Sequence, residues 1–135
     1  MAGARLLAAF IPGGPLQFIV AIQNSSETAE LSVPRTLQPP DYFFSAVVAD
    51  AAGRELYSSP RAKAGLKLHP QRPESYVNIA AGDALATVFQ IERDELTLEP
   101  GHYQAAFTYH SGPYQGPGGK GAPGPLDVDI PFDVA

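Results

Sequence analysis

The sequence has no cysteine among its 135 residues. Disulfide staples, thiolate nucleophiles and thiolate zinc sites are therefore excluded. Long apolar runs are also missing. The run Leu6–Ile11 ends at Pro12-Gly13-Gly14, short of a secretory h-region of about 7–15 residues and of the roughly 20 that span a membrane. It reads as a first β-strand. Positive charge is scarce: 9 Lys and Arg stand against 14 Asp and Glu, giving a net charge of −5. That balance disfavours nucleic acid and anionic membrane as partners. No segment keeps a 3.6-residue apolar period over three turns, and no G-x-S-x-G, H-E-x-x-H, Walker or dinucleotide glycine motif occurs. The lack of cysteine fits a reducing cytoplasm, and equally an exported domain that never needed disulfides. With the first apolar run read as a strand, the balance tips towards the cytoplasm.

What is present suits one globular domain over 1–135. Hydrophobic residues make up 44% of the chain, enough to offset chain entropy and to build a core. The 13 glycines and 14 prolines argue against a helical bundle. Period-two alternation dominates. Leu126, Val128, Ile130, Phe132 and Val134 alternate with Asp127, Asp129, Pro131 and Asp133; Tyr103, Ala105, Phe107 and Tyr109 alternate with polar or small residues. Leu16, Phe18, Val20 and Ile22 share one face, as do Leu85, Thr87, Phe89 and Ile91. Residues 42–49 are apolar on both faces, as in a central strand. With 5–11 and 76–79 this predicts seven strands: 5–11, 16–23, 42–49, 76–79, 84–91, 102–110 and 126–134. Glycine and proline turns separate them, so the expected fold is all-β, an antiparallel sandwich. One helical turn is expected around Glu92–Leu96.

Segment 111–125 differs in kind: ten of its fifteen residues are glycine or proline. Gly118, Gly121 and Gly124 have collagen spacing, but three triplets cannot form a triple helix. It reads as a loop between the last two strands. Asn24-Ser25-Ser26 has the form of a glycosylation sequon, with nothing else pointing to a secretory pathway.

Two stretches, Tyr76-Val-Asn-Ile-Ala-Ala-Gly82-Asp83 and Leu96-Thr-Leu-Glu-Pro-Gly101-His-Tyr103, each lead apolar residues through a glycine turn into a strand. The second, with Pro100, Gly101 and Tyr103, resembles the E–F corner of immunoglobulin-like and fibronectin-III-like sandwiches, where a tyrosine hydroxyl bonds back to the backbone. With Gly53, the Tyr76 strand and Gly82, the order over about 16–110 is similar to two further groups: the immunoglobulin-like pro-domain of deuterolysin-type metallopeptidases and the small intracellular proteinase inhibitor of bacilli. That resemblance implies a peptidase as partner. Segment 111–125 departs from both patterns, and the fold alone does not define function.

If successive strands run in opposite directions, connections 24–41, 80–83 and 111–125 share one end. Pro39, Pro40 and Tyr42 then lie with Pro113, Tyr114 and Gln115, offering contact area of the kind loop paratopes use. Connections 50–75 and 92–101 share the other end, bringing five of the basic residues towards four acidic ones; an additional strand within 50–75, such as Leu66-Lys-Leu68, would break this parity. His102 and His110 lie about 26 Å apart along one strand at ~3.3 Å per residue, too far to share a metal. His110 with Asp127 is too few ligands for zinc. Asp127, Asp129 and Asp133 read as charges protecting an edge strand. No cofactor, metal site or catalytic centre is expected. The expected function is a non-enzymatic protein-interaction module using the connections 24–41 and 111–125. The alternatives are a proteinase inhibitor or peptidase pro-domain, and a structural domain of a larger assembly. A homodimer through an edge strand is a further expectation.

Overall fold

The computed structural model describes residues 3–35, 37, 40–59, 76–109 and 125–135. Within them the chain forms β1 (Ala4–Ile11), β2 (Leu16–Asn24), β3 (Leu31–Pro34), a single helical turn α1 (Pro40–Phe43), β4 (Phe44–Asp50), β5 (Glu55–Ser58), β6 (Tyr76–Ile79), β7 (Ala84–Ile91), β8 (Gly101–Tyr109) and β9 (Leu126–Val134). All pairings are antiparallel, in three sheets ordered β1-β2-β7, β3-β6 and β5-β4-β8-β9. The fold is an all-β sandwich.

Seven strands are expected from the sequence and the described residues contain nine. The two additions are β3 and β5, each four residues long. All four positions of β3 are buried, so it shows no alternation. Strand β5 turns back from β4 through Asp50–Arg54, where Gly53 adopts φ 85° and the Asp50 carboxylate accepts the Ala52 and Arg54 amides at 3.0 and 2.9 Å. Leu66-Lys-Leu68, the segment flagged for an extra strand, lies outside the described residues. Strand β4 starts at Phe44 rather than at residue 42 because Pro40 opens a helical turn, a position that suits its fixed φ and missing N–H. The turn expected near Glu92 is present: the Glu95 and Leu96 amides both donate to the Glu92 carbonyl at 3.0 Å.

The core lies between the two larger sheets. Phe18 from β2 is fully buried and its ring meets those of Phe107 and Phe132, each at 5.1 Å, from the facing sheet. Phe10 adds a third contact to Phe132 at 4.9 Å. The two Phe18 pairs are edge-on and the Phe10–Phe132 pair is tilted; aromatic pairs are worth about 0.5–1.5 kcal/mol beyond their buried area. Because Phe10 nears the end of β1 and Phe132 the end of β9, the Phe10–Phe132 contact marks one end of the sandwich. The β1–β2 turn and the 92–100 connection lie there. The opposite end takes the 25–43 connection and the 80–83 turn, and the Tyr109–Leu126 end of the β8–β9 ladder lies there.

Candidate interaction surface

At the 25–43 end the central element is Asn24. Its side chain is completely buried; Nδ2 donates to the Ala29 and Ile79 carbonyls at 2.8 and 3.0 Å, and Oδ1 accepts the Ser26 amide at 2.9 Å. The backbone closes the same junction: Gly82 donates to the Asn24 carbonyl and Asn24 to the Asp83 carbonyl, both at 2.9 Å. Gly82 sits at φ 84°, a left-handed conformation that glycine enters freely. A side chain so enclosed is unavailable for glycosylation in the folded chain. Of the loop residues singled out for partner contact, Pro40 opens α1 and is half-buried, and Tyr42 belongs to the same turn. Pro39, Pro113, Tyr114 and Gln115 lie outside the described residues.

At the other end, Tyr103 donates its hydroxyl hydrogen to the Glu99 carbonyl at 2.7 Å. The bond spans Pro100 and Gly101, tying the 92–100 connection to the start of β8. The ring is half-buried and stacks on Phe132 with centroids 5.7 Å apart. Beside it, His102 Nδ1 lies 2.5 Å from Asp133 Oδ1 across the β8–β9 pair, with both side chains exposed. The carboxylate holds the imidazole pKa above its usual 6.5. Burial, reinforced by the neighbouring Glu95 carboxylate that its hydroxyl contacts at 3.2 Å, pushes Tyr57 up to about 12. Burial likewise raises Tyr109.

The expected match between basic and acidic connections falls mostly outside the described residues. Arg54 pairs with Asp50 of its own turn at 3.2 Å, and Arg61, Lys63, Lys67 and Arg72 lie outside the described residues. Asp127 accepts the Thr108 hydroxyl at 2.7 Å; its other suggested partner, His110, is also outside them. Among the described residues no three His, Cys, Asp or Glu side chains gather as a metal set. An open depression of about 390 Å³ lies against the β1–β2 turn, lined by Phe10, Leu16, Leu96 and Leu98, with Arg93 and Asp133 at its polar side.

The feature that sequence reasoning passed over is the outer face of the β1-β2-β7 sheet. Register puts its outward side chains in rows across the three strands. Leu7, Ala21 and Ala86 form one row; Ala9, Ile19 and Val88 form the next. Leu7 is 38% exposed, and Ile19 and Val88 are 42% exposed. Polar pairs bound the two rows: Arg5 Nε donates to Gln23 Oε1 at 2.5 Å on one side, and Gln17 Nε2 to Gln90 Oε1 at 2.7 Å on the other. The opposite sheet instead turns Asp127, Asp129 and Asp133 outward. A contiguous apolar patch with a polar rim is the usual mark of an interaction surface. The signal was present in the sequence: 5–11, 16–23 and 84–91 carry apolar residues at both parities, not only at the core-facing one.

The fold thus defines a class, the antiparallel β-sandwich, with one neutral apolar sheet face. No protein-family model matches the chain, and no curated protein matches it.

Proposed function

We propose that the chain is a non-enzymatic protein-interaction module whose main contact surface is the outer face of the β1-β2-β7 sheet. One observation carries this reading: Leu7, Ile19 and Val88 stand exposed in adjoining rows that hold no charged side chain. Solvent-facing strands of an antiparallel sheet are ordinarily polar, so two apolar rows mark a surface that is covered in use. The connections 24–41 and 111–125, through Pro39, Pro40, Tyr42, Pro113, Tyr114 and Gln115, are the proposed loop contribution. The inhibitor and pro-domain reading rests on the spacing of glycine, proline and tyrosine through Gly53, the Tyr76 strand, Gly82 and the Tyr103 corner, a pattern that serves sandwiches in general and carries no preference for a peptidase.

The test compares capture from the host lysate by the wild-type chain, Ile19→Asp and Tyr114→Ala. Ile19 points away from the core, so the charge leaves the fold intact, as a circular dichroism spectrum checks. Capture lost with Ile19→Asp supports the sheet face. Capture unchanged by Ile19→Asp overturns it.

A further inference from the structure

We infer that the β1-β2-β7 face is covered by a second copy of this chain, packed face to face about a two-fold axis running across the strands. The inference rests on the interaction-module reading and names its partner. A two-fold in that direction keeps each strand over its own equivalent and exchanges the two central rows. Leu7 then faces Ala9 of the second copy, Ile19 faces Ala21, and Val88 faces Ala86. In these two central rows every large side chain meets an alanine, the alternation by which two sheets interdigitate at ~10 Å, while the bounding rows place Arg5 over Ile11 and Gln23 over Gln17. A two-fold along the strands does not achieve this. It sets Ile19 against Ile19 and Ala21 against Ala21, a collision beside a gap.

Charge and area agree with the self-pairing. Each copy carries −5, so close approach is easiest over the two central rows, which hold no carboxylate of their own; Glu92 stands at the rim, where its Oε1 accepts from Gln90 Nε2 at 2.9 Å. Arg5 is the one charged side chain among the outward positions of β1, β2 and β7, and it lies in a bounding row. The facing of the opposite sheet, with its three aspartates, repels its own copy. Three strands ~4.8 Å apart with four outward positions spaced ~6.6 Å cover roughly 380 Å² of sheet plane per copy. Two copies therefore bury on the order of 800–1,200 Å² once side-chain relief is included, the low end for specific contacts. A weak dimer, with Kd in the range of about 10–500 µM, matches that size.

The experiment is sedimentation equilibrium of the full chain up to high micromolar concentration. It compares the wild type, Ile19→Ala, Ala21→Ile and the double variant. A reversible dimer is expected for the wild type. Each single variant should weaken it about tenfold, one leaving a gap and the other a collision. The double variant exchanges the two sizes and should recover to within about threefold of wild type. A wild-type monomer at every concentration overturns the inference. So does a dimer indifferent to the single variants, which would point to an edge strand, and so does a double variant no better than the singles. Dilution of isotope-labelled wild type gives a readout free of folding defects: methyl shifts of Leu7, Ile19 and Val88 should move together, and shifts confined elsewhere overturn the inference. A monomer that still loses protein capture with Ile19→Asp removes the second copy while leaving the interaction-module reading in place.

Discussion

The buried amide of Asn24 donates to the carbonyl of Ile79 at 3.0 Å, joining the end of β2 to the end of β6 across 55 residues of sequence. The same side chain holds Ala29 and Ser26, so one residue shapes both the 25–30 connection and the 80–83 turn. Asn24→Ala leaves two carbonyls and one amide in an enclosed site without their partner. Each such loss costs about 1–3 kcal/mol, and a total of roughly 3 kcal/mol is expected after partial relaxation. A urea titration should show a clearly lower midpoint with an unchanged slope. A midpoint equal to wild type would show that water replaces the amide at no cost.

The long strands were legible because each buries one face along its length. Strands β2, β7, β8 and β9 run for eight or nine residues, long enough for period two to stand out. Strands β3 and β5 have four residues each, and their existence depends on neighbours distant in sequence. Val33 is set by pairing with Val77, and Tyr57 by pairing with Val48. No local pattern encodes that. The apolar outer face was hidden for a different reason. Ala9, Ala21 and Ala86 are neutral to both core and surface, so Leu7, Ile19 and Val88 look isolated until register lays them side by side. Asn24 was hidden too: an asparagine before two serines reads as a turn or a sequon, and only the fold supplies its three partners.

Tyr103 and Glu99 provide a smaller test. Tyr103→Phe removes only the hydroxyl that reaches the Glu99 carbonyl and leaves the stack on Phe132. The ring is half-buried, so water partly reaches the vacated carbonyl. The expected cost is about 1 kcal/mol, read as a modest drop in urea midpoint. An unaltered midpoint would mean that the corner contributes nothing to stability.

The His102–Asp133 pair sets a pH dependence of known sign. Asp133 stabilises the imidazolium, so the folded pKa lies above 6.5. The contribution to stability is then complete below the unfolded pKa and is lost as pH rises through the folded value. The ring proton resonance of His102 should titrate with a midpoint above 6.5, and Asp133→Asn should lower it. Both side chains are exposed, so added salt should shrink the difference. A midpoint unmoved by Asp133→Asn would contradict the pairing.

Tyr109 and Leu126 are register partners at the end of the β8–β9 ladder. Directly opposed residues in an antiparallel pair lie about 4.5–5.5 Å apart, so the strands need only a short hairpin connection there. Replacing Gly112–Pro125 by a four-residue turn should therefore keep the β8–β9 pair in register. Shortening the closed loop is itself mildly favourable, by about 0.6 kcal/mol for each halving of length. The expected thermal midpoint lies within a few degrees of wild type. A fall well beyond that would show that the replaced segment supports the sandwich. The same variant separates the two proposed contact regions. Self-association through β1, β2 and β7 should persist, because none of those strands is altered. Capture of another protein through the 111–125 connection should decline, with Tyr114→Ala giving part of the loss. If the shortened chain no longer self-associates, the contact between copies runs through the 111–125 connection and not through the rows of Ile19 and Ala21.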